Sequence, residues 1–197
     1  SVVVAPTVGH RVTVRLRDSK PLSSEISNTD PAYGRVDGMG IAKAVSDFMK
    51  IEKCIPLEQT ENAIDAANLV NEFTEQSLEI MKKSDVNKHR SQKNKKLLNS
   101  ILLRDAGNKY PNVKPINDLH SMNFSCIVDM PVEVGISNVL KMKAFEAGGL
   151  TDYEGKASVA AQAMETENTM YVHLKGPDEF GHDGDAIGKM KNIEEID

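Results

Sequence analysis

The chain has no tryptophan, only two cysteines in 197 residues, and an aromatic content of 5%. Cys54 and Cys126 fit no metal-binding spacing and cannot build a disulfide scaffold, so we expect both to be reduced core residues. No apolar run approaches the roughly 20 residues that a membrane-spanning helix requires. The G-x-S-x-G nucleophile segment is also absent. These absences exclude disulfide-rich scaffolds, helical membrane proteins and hydrolases with a nucleophile elbow.

Charged residues make up 27% of the chain, hydrophobic residues 40%, and the formal net charge is −5. This composition is typical of soluble globular proteins, and we expect a cytoplasmic protein without nucleic-acid or membrane partners. Segment 82–96 departs from the acidic average, with seven Lys or Arg, His89 and one acid, Asp85. It lacks the interleaved aromatics that stack on single-stranded nucleic acid. A solvated basic face is favoured, and an anion-binding surface stays open as an alternative.

Hydrophobic periodicity predicts the elements of the first half. Residues 11–17 alternate basic or polar with apolar side chains, which predicts a half-buried strand. Residues 18–47 predict a long loop, and residues 60–83 predict an amphipathic helix with Thr60 as its N-cap. The apolar run at 101–104 predicts a buried strand. Two prolines and two asparagines at 110–118 then mark the predicted domain boundary.

Beyond the boundary, strands alternate with helices. Strands are predicted at 124–128 and 169–174, and helices at 132–142, 153–165 and 186–197. This order predicts an α/β fold with a parallel sheet, in which functional loops follow the carboxyl ends of the strands.

The segment Lys175–Asp185 follows one of these predicted strands and holds the best candidate site. Its proline and glycines predict an irregular backbone, on which Asp178 and His182 both turn towards one divalent cation. A carboxylate oxygen and an imidazole nitrogen suit Mn²⁺, Zn²⁺ or Mg²⁺. Two ligands do not complete a site, so the others must come from elsewhere. The alternative is an exposed acidic loop in which Asp185 caps the final helix.

Four basic side chains are candidates for anion binding. His10 and Arg11 follow a glycine before the first basic strand, and an arginine fork binds phosphate or carboxylate with two hydrogen bonds. Arg104 ends a predicted buried strand, and Lys175 directly precedes the acidic segment. The alternative for each of them is an ordinary surface position.

Six segments, in order along nearly the whole chain, resemble the archaeal-type cofactor-independent phosphoglycerate mutases of the alkaline phosphatase superfamily. The segments are Gly9–Arg17, Ser27–Pro31, Leu69–Thr74, Ile101–Gly107, Gly148–Tyr153 and Lys175–Asp185.

The resemblance implies an alkaline-phosphatase-like parallel-sheet domain interrupted by an inserted α+β domain. Residues 1–117 would be the inserted, substrate-gripping domain, and residues 118–197 part of the metal-binding domain. Both domains would be incomplete, so we expect an internal fragment that is inactive alone. The family's nucleophilic serine and an Asp-His ligand pair are expected outside these residues, and no catalytic residue is assigned within them.

The implied activity is the interconversion of 3-phosphoglycerate and 2-phosphoglycerate through a phosphoserine at a two-metal site, without 2,3-bisphosphoglycerate. Mn²⁺ is the expected metal, with Mg²⁺, Zn²⁺ or Co²⁺ as alternatives. Asp178 and His182 resemble two ligands of one metal. The residues that resemble substrate contacts are His10, Arg11, Arg104 and Lys175. Two alternatives stay open: another metal-dependent phosphatase or phosphotransferase of the superfamily, and a non-catalytic anion-binding module using segment 82–96.

Overall fold

The computed structural model describes residues 1–36, 39–43 and 50–197. The chain divides into two compact units, Ser1–Ala5 with Thr13–Lys109, and Pro6–Val12 with Tyr110–Asp197. The sequence-based division near residue 117, into an inserted domain and a metal-binding domain, stays a prediction. None of the helices within the described residues combines the length and apolar character needed to cross a membrane.

The first half of the chain contains two small sheets and two helices. The predicted strand at 11–17 is confirmed as β2 (Val12–Leu16), which pairs with β1 (Val2–Pro6). The loop predicted at 18–47 is wrong in part, because an antiparallel hairpin lies within it. Its four-residue strands are too short to give a periodic signal, and residues 37, 38 and 44–49 lie outside the described part. The elements are β1 Val2–Pro6, β2 Val12–Leu16, β3 Tyr33–Val36, β4 Met39–Ala42, α1 Glu61–Lys83 and α2 Asp85–Gln92.

Helix α1 begins and ends where the sequence predicts. The Thr60 side chain accepts a hydrogen bond from the Ala63 N–H at 3.2 Å, which confirms the predicted N-cap. The sequence predicts that the apolar stripe of this helix consists of Ile64, Ala67, Val70, Phe73, Ser77, Ile80 and Met81. This is wrong at two positions, since Ile64 and Ile80 are 43% and 69% exposed. Small side chains form the buried face instead, because they allow neighbouring chain segments to approach closely. The buried residues are Ala63, Ala66, Ala67, Val70, Thr74 and Ser77.

The buried strand predicted at 101–104 is wrong, since this segment has no regular secondary structure. Side chains and backbone groups together provide the hydrogen bonds that a strand ladder would otherwise supply here. The Leu103 N–H donates to Thr29 Oγ1 at 2.8 Å, and the Leu103 carbonyl accepts from the Thr29 N–H at 2.8 Å. The Asp105 N–H donates to Asn28 Oδ1 at 3.2 Å. Two of the six family-like segments are therefore held together by side-chain caps around the core of the first unit.

The second unit confirms the predicted α/β class with a parallel sheet. Strand β5 (Phe124–Ile127) lies between two parallel partners, β6 (Lys143–Ala144) and β7 (Thr169–Val172), in the order β6-β5-β7. Pro131 lies in the first turn of α4, where its missing N–H is not needed. The elements are α3 Ile116–His120, β5 Phe124–Ile127, α4 Pro131–Leu140, β6 Lys143–Ala144, α5 Tyr153–Ala163, β7 Thr169–Val172, α6 Gly176–Asp183 and α7 Ala186–Ile196.

The strand order locates the expected site. The chain leaves β5 for β6 on one side and then returns past β5 to β7 on the other. The carboxyl ends of β5 and β7 therefore flank a topological switch point, where open α/β sheets bind their ligands. Helix α6 begins four residues after β7 ends, at this edge of the sheet.

Replacing Thr29 by valine tests the side-chain caps of the first unit. Thr29 is fully buried, and valine keeps its shape but leaves the Leu103 N–H without an acceptor. We expect Thr29→Val to lower the free energy of unfolding by about 1–3 kcal/mol in urea titrations followed by circular dichroism. Thr13→Val, at an exposed position in β2, is the matched control and should stay within about 0.5 kcal/mol. Equal effects of the two variants would contradict the capping role.

Candidate functional site

The segment predicted as an irregular loop is a helix, α6, so that prediction is wrong. Pro177 lies in the first turn, where a helix tolerates proline because the first N–H groups have no intrahelical acceptor. The helix ends at Gly184, whose φ of 70° is in the left-handed region that favours glycine. Asp178 and His182 stand four residues apart on this helix and therefore share one face.

The alternative role that the sequence offered for Asp185 is confirmed. Its carboxylate accepts a hydrogen bond from the Gly188 N–H at 2.8 Å and caps the first turn of α7. The final acid of the segment thus holds the start of the next helix, which leaves Asp178 and His182 as the ligand candidates of α6.

Asp178 lies between two cationic or basic groups of its own segment. Its Oδ1 is 3.5 Å from His182 Nε2, and its Oδ2 forms an ion pair with Lys175 Nζ. The hydrogen bond from Lys175 lowers the pKa of Asp178, and the charges of Lys175, His182 and Arg11 add to this effect. The carboxylate is therefore held in the ionised form that a metal cation requires. The side chains of Asp178 and His182 are 49% and 73% exposed, and that of Lys175 is 15% exposed.

The donor set of α6 fits part of a metal site. A carboxylate and an imidazole at this spacing on one helix face suit a divalent transition metal. Across residues 1–36, 39–43 and 50–197, no group of three or more His, Cys, Asp or Glu side chains is close enough to hold an ion. Asp178 and His182 thus remain two candidate ligands, and a complete centre would need others.

The structure separates the four candidates for substrate binding. Arg11 and Lys175 both act on the Asp178 carboxylate, and all three belong to the second unit. His10 precedes Arg11 in the turn between β1 and β2. Arg104 belongs to the first unit, where its guanidinium carbon lies 3.8 Å from the centre of the Tyr33 ring and its Nε 3.5 Å from Asp105 Oδ2. Arg104 thus already has an aromatic and an acidic partner.

Comparisons with known proteins show which family the chain is similar to. Residues 1–87 match the family model described as 2,3-bisphosphoglycerate-independent phosphoglycerate mutase, and residues 125–197 match that of the metalloenzyme superfamily. A 2,3-bisphosphoglycerate-independent phosphoglycerate mutase of Aeropyrum pernix is 40% identical over 97% of this chain and 46% of its own length. A 2,3-bisphosphoglycerate-independent phosphoglycerate mutase of Archaeoglobus fulgidus is 31% identical over 100% of this chain and 46% of its own length. Nearly the whole chain is thus similar to members of this mutase family.

The fold is similar to that of a solved structure. A cofactor-independent phosphoglycerate mutase from Thermoplasma acidophilum superposes with a TM-score of 0.52 at 24% identity, covering 100% of this chain and 47% of that one. The alkaline-phosphatase-like α/β fold expected from the sequence is confirmed. The chain spans about half the length of the curated relatives it matches.

The chain also carries a buried lysine with an acidic partner and a partly buried histidine–glutamate pair that the sequence did not reveal. Lys156 is 1% exposed, lies 3.3 Å from Asp129 Oδ2 and donates to the Gly149 carbonyl. His173 Nε2 lies 3.7 Å from Glu133 Oε1. Asp129 and His173 follow β5 and β7, so both pairs lie at the carboxyl edge of the sheet. The available signal was Asp129, an acidic residue two positions after the buried strand β5.

The Lys156–Asp129 pair allows a direct test of this edge. We expect Lys156→Met to lower the free energy of unfolding by about 3–5 kcal/mol, because it leaves the carboxylate of Asp129 buried without its cation. Replacing both partners, as Lys156→Met with Asp129→Leu, should recover part of this loss, since no isolated charge then remains. Urea unfolding followed by circular dichroism measures both effects.

Lys143→Met is the matched control for Lys156→Met. Lys143 forms an ion pair with Glu167 at 2.8 Å, but its side chain is 60% exposed, so its loss should change stability by about 1 kcal/mol or less. A Lys156→Met variant as stable as Lys143→Met would show that the buried pair does not hold the sheet edge together.

Proposed function

We propose that this chain is part of an enzyme that interconverts 3-phosphoglycerate and 2-phosphoglycerate without 2,3-bisphosphoglycerate. The observation that carries the proposal is the group formed by Asp178, His182 and Lys175 at the carboxyl edge of a parallel sheet. The names of the relatives support the same activity. A serine outside these residues would accept the phosphoryl group and return it to the other hydroxyl of the glycerate. A cytoplasmic location and a small-molecule substrate, with no nucleic-acid or membrane partner, belong to the same proposal.

Asp178 and His182 would hold one of two divalent cations. Mn²⁺ is the proposed metal, with Mg²⁺, Zn²⁺ or Co²⁺ as alternatives, because a carboxylate and an imidazole serve all four. When bound, the two cations supply charge neutralisation at the transferring phosphoryl group and favour the deprotonated serine. The low pKa of Asp178 supports this role, since the ligand needs no proton release before it binds.

Besides its ion pair with Asp178, Lys175 would contact the substrate. Its ammonium group and a cation at Asp178 compete for the same carboxylate, so metal binding weakens the Lys175–Asp178 ion pair. The ammonium group then has donors available for a phosphate oxygen. Arg11, whose charge also acts on Asp178, would bind the phosphate or carboxylate of the substrate. His10 and Arg104 are proposed as further substrate contacts from the family resemblance.

A phosphoglycerate mutase assay tests the proposal directly. Purified 197-residue chain and the product of the complete gene are each given 3-phosphoglycerate and Mn²⁺, without 2,3-bisphosphoglycerate. Formation of 2-phosphoglycerate is followed with enolase, and released inorganic phosphate is measured in parallel. We expect an active gene product and an inactive 197-residue chain. Phosphate release without 2-phosphoglycerate would favour the alternative of a metal-dependent phosphatase, and activity of the chain alone would contradict our assignment of the nucleophile.

If Asp178 is a metal ligand, replacing its carboxylate by an amide should have a large effect on metal binding and activity. We expect Asp178→Asn to weaken Mn²⁺ binding to the gene product and to lower its activity about 100-fold or more, since even a partner of a metal ligand contributes 10–100-fold. Calorimetric titration with Mn²⁺ and the coupled assay measure the two effects. Asp183→Asn, at an exposed position on the same helix, is the matched control and should change neither.

One observation supports the second alternative, a binding module for anions. A surface cavity of about 250 Å³ is lined by Val86, His89, Arg90, Lys93 and Lys95. If this face binds nucleic acid, affinity for a single-stranded oligonucleotide should fall steeply with salt. We expect no such binding at physiological salt in fluorescence anisotropy, because segment 82–96 has no aromatic side chain for base stacking. Strong, salt-dependent binding would favour the module.

A further inference from the structure

The first residue of α6 lies against a hydrogen-bonded pair that comes from two other helices. Tyr153 is the first residue of α5, and Asn192 lies in α7, where it is 5% exposed. The Asn192 Nδ2 donates to Tyr153 Oη at 2.8 Å, and Tyr153 Oη lies 3.2 Å from Asn192 Oδ1. The pair ties the beginning of α5 to the middle of α7.

Gly176 fits against this pair because it has no side chain. A Cβ at this position would overlap both the Tyr153 hydroxyl oxygen and the Asn192 amide oxygen. Tyr153 and Asn192 hold each other, so neither oxygen moves away without loss of their hydrogen bond. The position of the first turn of α6 is therefore set by the two polar side chains.

The position of that turn decides where the candidate ligands lie. Asp178 is two residues beyond Gly176, and His182 is one helical turn beyond Asp178. A displaced helix start carries both side chains with it, whereas a functional site tolerates errors of only about 0.5 Å.

The Tyr153–Asn192 pair is itself anchored to the sheet. Lys156 lies in the same first turn of α5 as Tyr153 and is held by Asp129 at the end of β5. The Asp152 side chain caps this turn by accepting from the Gly155 N–H at 2.9 Å. A continuous set of contacts thus runs from the carboxyl edge of the sheet, through the first turn of α5, to the start of α6.

We propose that Tyr153 and Asn192 are positioning residues that set the location of Asp178 and His182 through Gly176. Neither side chain touches the two ligands, and their effect is transmitted by the rigid helix α6. The inference rests on the metal role of Asp178 and His182 in the proposed function. The part of the inference that does not depend on a metal is that Tyr153 and Asn192 keep α6 ordered.

Tyr153→Phe in the product of the complete gene is the test variant, and Tyr171→Phe is its matched control. Both changes remove one phenolic hydroxyl from the second unit, but Tyr171 is 49% exposed. We expect Tyr153→Phe to raise the Kd for Mn²⁺ about 10–100-fold in calorimetric titrations, the range seen when a ligand loses its support. Hydrogen exchange of residues 176–183 should quicken about fivefold to tenfold, while residues 131–140 of α4 exchange as before.

The variant Gly176→Ala adds a test with a characteristic sign. In the native background Tyr153→Phe should weaken Mn²⁺ binding, because it removes a hydrogen bond. In the Gly176→Ala background the same change should strengthen binding, because it removes an oxygen that the new methyl group overlaps. A role in general stability alone predicts weakening in both backgrounds.

Three results would overturn the inference. They are equal Kd and exchange values for Tyr153→Phe and Tyr171→Phe, a uniform rise of exchange across the second unit, and weakening in both backgrounds. A native gene product that binds no Mn²⁺ would count against the proposed function, and exchange in residues 176–183 would then still decide whether Tyr153 orders α6.

Discussion

A buried ammonium group fixes the edge of the sheet on which the candidate site is built. Lysine is rarely buried without a partner, because removing its charge from water is unfavourable unless an anion and hydrogen-bond acceptors replace the solvent. Lys156 has both, in Asp129 and the Gly149 carbonyl. The lysine therefore holds α5, the end of β5 and the Gly148–Gly149 turn in one arrangement. The first turn of α6 is placed against that arrangement.

In the first unit, buried polar groups are paired with neutral partners instead of charged ones. Segments without regular secondary structure still carry backbone donors and acceptors, and buried ones need partners. Thr29 pairs both backbone groups of Leu103, and Asn87 donates to the Met81 and Leu98 carbonyls while accepting from the Leu98 N–H. Short polar side chains thus supply part of the hydrogen bonding that strand ladders provide elsewhere. This explains why two family-like segments with little periodicity stay packed against the core.

The sequence predicted elements whose information is local and missed those that depend on distant partners. The cap at Thr60 and the parallel sheet of the second unit were correct, because caps and the alternation of strands with helices depend on neighbouring residues. The strand at 101–104 was wrong, since its partner Thr29 lies more than seventy residues away. The types and spacing of Asp178 and His182 make them ligand candidates, which stays a prediction, and their helical backbone was not predicted. Lys156 was missed because nothing near it in sequence marks a charge that tertiary packing will bury.

The helical backbone of α6 changes how its two ligand candidates work. In a loop, the backbone at each of the two side chains would have to be ordered separately. In a helix, the spacing of the two side chains is fixed as soon as that one element folds. The helix then has only its own position left to specify, and the Tyr153–Asn192 pair supplies that through a glycine. The hydrogen bond from Lys175 lowers the pKa of Asp178 and favours its ionised form. In the proposed site, which is assembled from several segments, α6 would present its two candidate ligands at a fixed spacing before the other segments join.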